Sequence, residues 1–176
     1  QALLKSLQSP LEGTVDVYFN RPIGRLITIP LAKLGIHPNT VSLISIFMGL
    51  ATAFLFLSGR YLETLVGAIL LQLSAILDCI DGDLARIQFK ESILGRWLDI
   101  TGDNIVHLAI FICLTIREYN LHPEATPMIL GAMLVLATII SFSLVIYTQI
   151  YLKPIAQKAA ISTTRLENFI DRMTSR

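Results

Sequence analysis

The sequence predicts an all-α fold, a polytopic transmembrane helical bundle with an N-terminal interfacial helix. Residues are 53% apolar and only 15% charged, against about 25% charged in a soluble domain, and the mean hydropathy is +0.65. Four apolar runs are long enough to cross a bilayer. Each is helical, because an open sheet edge leaves backbone groups unsatisfied in lipid. Three segments follow: residues 1–36 as a cytoplasmic segment with the interfacial helix, 37–152 as the transmembrane domain, and 153–176 as a cytoplasmic tail or connector.

Before the first run, Arg21 to Ile36 reads RPIGRLITIPLAKLGI. Its apolar residues are interrupted by Arg25 and Lys33 and are too few to cross, which fits a helix lying on the cytoplasmic leaflet. Pro30 is expected to bend or divide it. In His37 to Ser42, HPNTVS, Pro38 and Asn39 open the first span as a turn and cap. The spans are then Val41 to Leu57, uncharged; Tyr61 to Leu77, carrying only Glu63; Leu98 to Ile116, carrying aspartates; and Pro127 to Leu152, uncharged and long enough to span with tilt.

With a cytoplasmic N-terminus, Arg60 and Arg117 alone among the 14 basic residues fall in outer loops. The positive-inside rule therefore sets the orientation. It puts the cytoplasmic face at the ends of the second and third spans, where the chemistry-bearing residues sit.

Those residues lie in DCIDGDLARIQFKESILGRWLDITGD, Asp78 to Asp103. An aspartate near the bilayer centre costs about 2.5–3.5 kcal/mol even on the lenient insertion scale, so four of them must face each other, water or a metal. Asp78 and Asp81 are spaced i, i+3 and Asp99 and Asp103 i, i+4, so each pair shares a helix face. Two such faces brought together make a carboxylate cluster. Hard oxygens of this kind suit Mg²⁺ or Mn²⁺, and two ions would make four charges tolerable. Gly82 and Ala85 leave a patch without side-chain bulk beside the cluster, and Arg86 closes it with a planar donor fork that fits phosphate or a pyrimidine carbonyl. Gly95 thins the facing segment. Small residues in membrane helices also serve close packing; beside the aspartates they are read as ligand contacts. Asp83 and Glu91 fall outside the pattern and are expected as solvated surface residues. His107, one turn after Asp103, is expected to be a hydrogen-bonded packing residue.

Written out, D-x-x-D-G-x-x-A-R, eight residues, then G-x-x-x-D-x-x-x-D resembles the signature of the CDP-alcohol phosphotransferases (CDP-alcohol phosphatidyltransferases) at every fixed position. Eight fixed positions match by chance at roughly one start in 10¹⁰. The resemblance implies a transferase that moves a substituted phosphoryl group from a CDP-alcohol, lipid-linked in the commonest arrangement, to an acceptor hydroxyl, with release of CMP. It places the cytidine and diphosphate at Gly82, Ala85, Arg86 and Gly95. Asn39 joins them as a ligand candidate, although helix capping explains it equally well. Metals fall to Asp78, Asp81, Asp99 and Asp103, and Asp103 is also the general base, since an ionised carboxylate accepts the proton of an attacking hydroxyl. Members usually have six spans, so four are expected to be part of a longer chain.

Glu12 to Arg25, EGTVDVYFNRPIGR, resembles the inositol-phosphate-using members, in which a soluble nucleotidyltransferase domain precedes the membrane domain. It supports a CDP-polyol donor with a polyol-phosphate acceptor as the alternative substrates, and a fused or partner nucleotidyltransferase. Expected partners are otherwise the donor, the acceptor and the bilayer, with a homodimer as an option and no nucleic acid. Cys79 and Cys113 make no metal or disulfide framework. An intramembrane prenyltransferase has no need of the Gly-x-x-Ala-Arg patch. An ion pathway, the non-enzymatic alternative, has no use for a cytidine nucleotide.

Overall fold

The computed structural model describes residues 15–152. Among them, a π-helical turn (Asp16–Asn20) leads into α1 (Arg21–Lys33), followed by α2 (Pro38–Leu57), α3 (Tyr61–Ile87), α4 (Ile93–Leu121) and α5 (Ala125–Tyr147), with a second π-helical turn at Thr148–Leu152. No strand occurs among the described residues. Four helices, the last continuing from Ala125 to Tyr151, are long and apolar enough to cross a membrane. The chain is an integral membrane protein, and every regular element among its described residues is a helix, as its composition requires. Lys5, residues 12–14 of the Glu12 to Arg25 segment and the polar tail from Lys153 lie outside the described residues.

The helices differ from the apolar runs at their ends. α3 continues to Ile87 rather than stopping at Leu77, because the motif residues keep their intrahelical bonds and turn their carboxylates inward. α4 begins at Ile93, where the Ser92 hydroxyl caps the helix by accepting from the Gly95 N–H at 2.9 Å. Arg117, expected in an outer loop, lies within α4 instead.

α1 runs through Pro30 without being divided there, so of the two expected effects division does not occur. The bond forfeited there would have gone to Leu26, which is exposed like Pro30 itself, so that carbonyl is free to meet solvent or headgroups. α1 stops instead at Gly35, whose φ of +69° suits only glycine without strain. The Ile36 N–H donates to Leu31 O at 3.3 Å and the Gly35 N–H to Ala32 O at 3.2 Å, the paired bonds of a Schellman motif.

α2 is the central helix: α3 and α4 each pack along it, and α1 packs on α3. Small residues set these approaches. A Cβ at Gly49 of α2 would sit 2.6 Å from Val106 Cγ1 of α4, and one at Gly102 of α4 would overlap Ile46 of α2. Each glycine is thus the hole for the other helix's β-branched residue. Between α2 and α3, the Ser74 hydroxyl donates to Ser45 O at 2.8 Å, the Ser45 hydroxyl to Ser74 O at 3.2 Å, and Thr52 to Gly67 O at 3.2 Å. One apolar cluster, Val41, Ile76, Ile80 and Leu84, joins α2 to α3 beneath α1; another, Ala53, Phe56, Val106 and Ile110, joins α2 to α4. A separate unit begins at Leu136, and its described residues, 136–152, are apolar and helical.

Gly102→Leu therefore destabilises the protein by about 1–3 kcal/mol or more, as overpacked cores do. Thermal unfolding in detergent measures it, with Gly102→Ala intermediate. A Leu variant melting like wild type would remove the reciprocal packing of α2 and α4.

Candidate active site

The motif residues gather because α3 and α4 both rest on α2 while scarcely approaching each other backbone to backbone. The space left is a cavity of about 400 Å³ among the C-terminal half of α3, the first turns of α4, the N-terminus of α2 and the approach to α1. Asn39, Asp78, Asp81, Gly82, Ala85, Arg86, Gly95 and Asp99 all line it. Asp103, the remaining predicted residue, does not line this cavity but sits one turn beyond Asp99, more exposed.

The carboxylates of Asp78, Asp99 and Asp103 each present an oxygen within 4.8 Å of the others. Asp81 stands apart from this trio. It is 5% exposed, and its buried Oδ2 has no hydrogen-bond partner. Three converging hard oxygens and an orphaned fourth carboxylate oxygen fit a divalent cation site, since a buried acceptor without a donor otherwise bears its full desolvation penalty.

A Cβ built on Gly82 meets nothing within 4 Å, so the patch is open space and not a helix contact. Gly95 is different. Its Cβ would lie 3.1 Å from Asn39 Oδ1, so there the missing side chain lets α2 and α4 come together. Asn39 is not the cap of α2. Pro38 takes the first helical position, and the capping side chain is His37, whose Nδ1 accepts from the Asn39 N–H at 3.3 Å. Capping no longer accounts for the Asn39 side chain, which faces the cavity.

Asp83 overturns an expectation. It is 2% exposed rather than solvated, and its Oδ1 accepts from Arg21 Nη1 at 2.8 Å and lies 3.8 Å from Arg86 Nη1. Two residues past Asp81 it is turned some 200° about the helix axis, where α1 packs and brings the arginine. Glu91 is exposed, as expected, 3.9 Å from Arg86 Nε. His107 donates from Nδ1 to the main-chain carbonyl of Asp103 at 2.7 Å and tilts toward Phe111.

Arg21, Ser42, Lys90 and Arg96 also line the cavity and were not foreseen. Ser42 was within reach of pattern reading, one helical turn from Asn39 on the same face. Arg21, Lys90 and Arg96 owe their places to the packing of α1 and the turn between α3 and α4, which no local period encodes.

Residues 35–167 match the family model described as CDP-alcohol phosphatidyltransferase. The chain belongs to the CDP-alcohol phosphatidyltransferase family. It is 32% identical over 139 residues to the bifunctional IPC transferase and DIPP synthase of Thermococcus kodakarensis, covering 73% of this chain and 30% of that protein. The protein of the same name from Aquifex aeolicus is 25% identical over 114 residues, 63% of this chain and 26% of that one. The archaetidylinositol phosphate synthase of Pyrococcus horikoshii is 37% identical over 81 residues, 46% and 41% of the two chains. The chain thus spans less than half the length of these curated relatives. Every fixed position of the phosphatidyltransferase motif falls in the matched region, and all but Asp103 on the cavity wall.

Proposed function

We propose that this chain transfers a substituted phosphoryl group from a CDP-alcohol to the hydroxyl of a second alcohol, releasing CMP. The observation that carries the reading is the union, in one cavity of about 400 Å³, of a carboxylate cluster with an open floor at Gly82 and a guanidinium at Arg86. Gly82, Ala85, Gly95 and Asn39 accept the cytidine half, and Arg86 meets the diphosphate as a planar fork. Asp78, Asp81, Asp99 and Asp103 would hold the divalent ions, Mg²⁺ or Mn²⁺, and these would supply Lewis-acid stabilisation of charge on the phosphoryl oxygens. Asp103, at the exposed edge of the cluster, takes the proton of the acceptor hydroxyl. The new bond forms between that oxygen and the distal phosphorus, the bridging P–O bond breaks, and CMP leaves with the electron pair.

The donor in this reading is lipid-linked and the acceptor small and polar. A relative named archaetidylinositol phosphate synthase supports an inositol phosphate as that acceptor. The bifunctional relatives support keeping a second reading, a CDP-polyol donor with a polyol-phosphate acceptor, and support a nucleotidyltransferase domain fused to or partnered with this one. The distribution of basic residues supports a site opening to the cytoplasm. Purified full-length protein in liposomes, given a panel of CDP-alcohols and acceptors, tests all of this through CMP release. Release with lipid-linked donors alone selects the first reading, and release with soluble CDP-polyols alone the second. An ion pathway would show no metal-dependent binding of cytidine nucleotides.

Gly82→Leu should insert and fold normally, because its added side chain enters open space, yet lose donor binding because that space is the nucleotide's. Metal binding should survive. Unchanged affinity for the CDP donor in this variant would place the ligand elsewhere.

A further inference from the structure

We infer that Arg21, at the start of α1, is a second phosphate-binding residue of the cavity and that Asp83 is its positioning residue. The inference rests on the transferase reading above and adds to its donor site a residue outside the aspartate motif.

Asp83 Oδ1 accepts from Arg21 Nη1 at 2.8 Å, with the two side chains 3% and 10% exposed. The same oxygen lies 3.8 Å from Nη1 of Arg86. One buried carboxylate therefore faces two guanidinium groups from two different helices, and both arginines line the cavity. A buried ion pair recovers its desolvation penalty poorly, which makes it a weak device for stability alone and a better one for fixing position. A latch serving only to hold α1 on α3 would need no arginine on the cavity wall. The turn that leads into α1 is already held by Asn20, whose side-chain Oδ1 accepts from Gln72 Nε2 at 2.6 Å, and α1 itself by Gly24, whose missing side chain lets the helix lie close against Ile80.

Charge points the same way. A diphosphate brings several negative charges into a wall that already carries Asp78, Asp81 and Asp99. Arg86 is one cation from α3. Arg21 adds a buried fork from another direction, beside the Lys90 and Arg96 that also line the cavity, and guanidinium presents five donors in fixed geometry suited to phosphate oxygens. Asp83 between them offsets the repulsion of the two cations before the ligand arrives.

The test is titration of cytidine, CMP and CDP, each with Mg²⁺, into full-length protein reconstituted in detergent. Wild type is compared with Arg21→Gln, Asp83→Asn and the double variant. Arg21→Gln should weaken CDP binding by about 10- to 100-fold, as loss of a charge-assisted contact does, and leave cytidine within about twofold. Asp83→Asn should weaken CDP by a smaller factor, also without moving cytidine. The double variant should match Arg21→Gln, because the carboxylate acts through the arginine. That variant also serves if Arg21→Gln, which strands a buried carboxylate, does not fold. Equal weakening of cytidine and CDP, or unchanged CDP affinity in a folded variant lacking Arg21, would overturn the inference and leave the transferase reading intact. A wild-type protein that binds no CDP would remove that reading and this inference together.

Discussion

Asp78→Asn, Asp81→Asn and Asp99→Asn should each reduce CMP release by about 10³-fold or more, and excess chelator should abolish it in the wild type. The magnitude follows from the several kcal/mol of charge stabilisation that a cation site supplies, about 4 kcal/mol being a thousandfold in rate. The geometry says why the carboxylates need a counter-charge. Three oxygens within 4.8 Å of one another repel by roughly 3.5 kcal/mol per pair at an effective dielectric constant of 20, before solvent screening at the exposed Asp103. The same repulsion gives a second readout. In chelator, Asp99→Asn should melt no lower than wild type, because neutralising one member relieves the cluster while the isosteric amide keeps its shape. Full activity in chelator, or near-normal rates in any two of the three variants, would sink the metal mechanism. Normal rates in Asp81→Asn alone would narrow the ligand set to the trio.

The cavity was legible because its residues obey helical spacing. Asp78, Asp81, Gly82 and Ala85 on α3, and Gly95 and Asp99 on α4, with Asp103 one turn further on, each have partners three or four residues away, and a period of 3.6 puts them on common faces wherever the helices are packed. What local spacing could not supply was the neighbour of each face. Asp81 and Asp83 differ by two positions and so look to opposite sides of α3, but only the packing of α1, with an arginine 62 residues earlier in the chain, decides that Asp83 is buried. The helix ends were hidden for a related reason. Hydropathy falls at Asp78, yet α3 continues to Ile87, since polar side chains facing a cavity do not interrupt backbone hydrogen bonding. At Asn39 the residue types were read correctly and the local chemistry was not: with Pro38 in the first helical position the cap moves back to His37.

Asp103→Asn should separate binding from chemistry. Asp103 stands outside the lining of the cavity, is exposed, and brings one carboxylate oxygen within 4.8 Å of those of Asp78 and Asp99. As the proposed base it should serve the acceptor hydroxyl, and it is not part of the wall proposed to bind the donor. The amide keeps the size and one oxygen but takes no proton, so turnover should fall by about 10² to 10⁴, the usual contribution of general acid–base catalysis, while affinity for CDP falls only modestly. His107→Ala is the companion control. Its ring bonds the main-chain carbonyl of Asp103 and not the carboxylate, so turnover in that variant should stay within about tenfold of wild type. The opposing outcome is specific: if Asp103 serves mainly as a metal ligand, metal affinity drops together with turnover and excess Mg²⁺ restores the rate. Such rescue would sink the base assignment, because added metal cannot supply a proton acceptor at that position, and would leave the transferase reading standing.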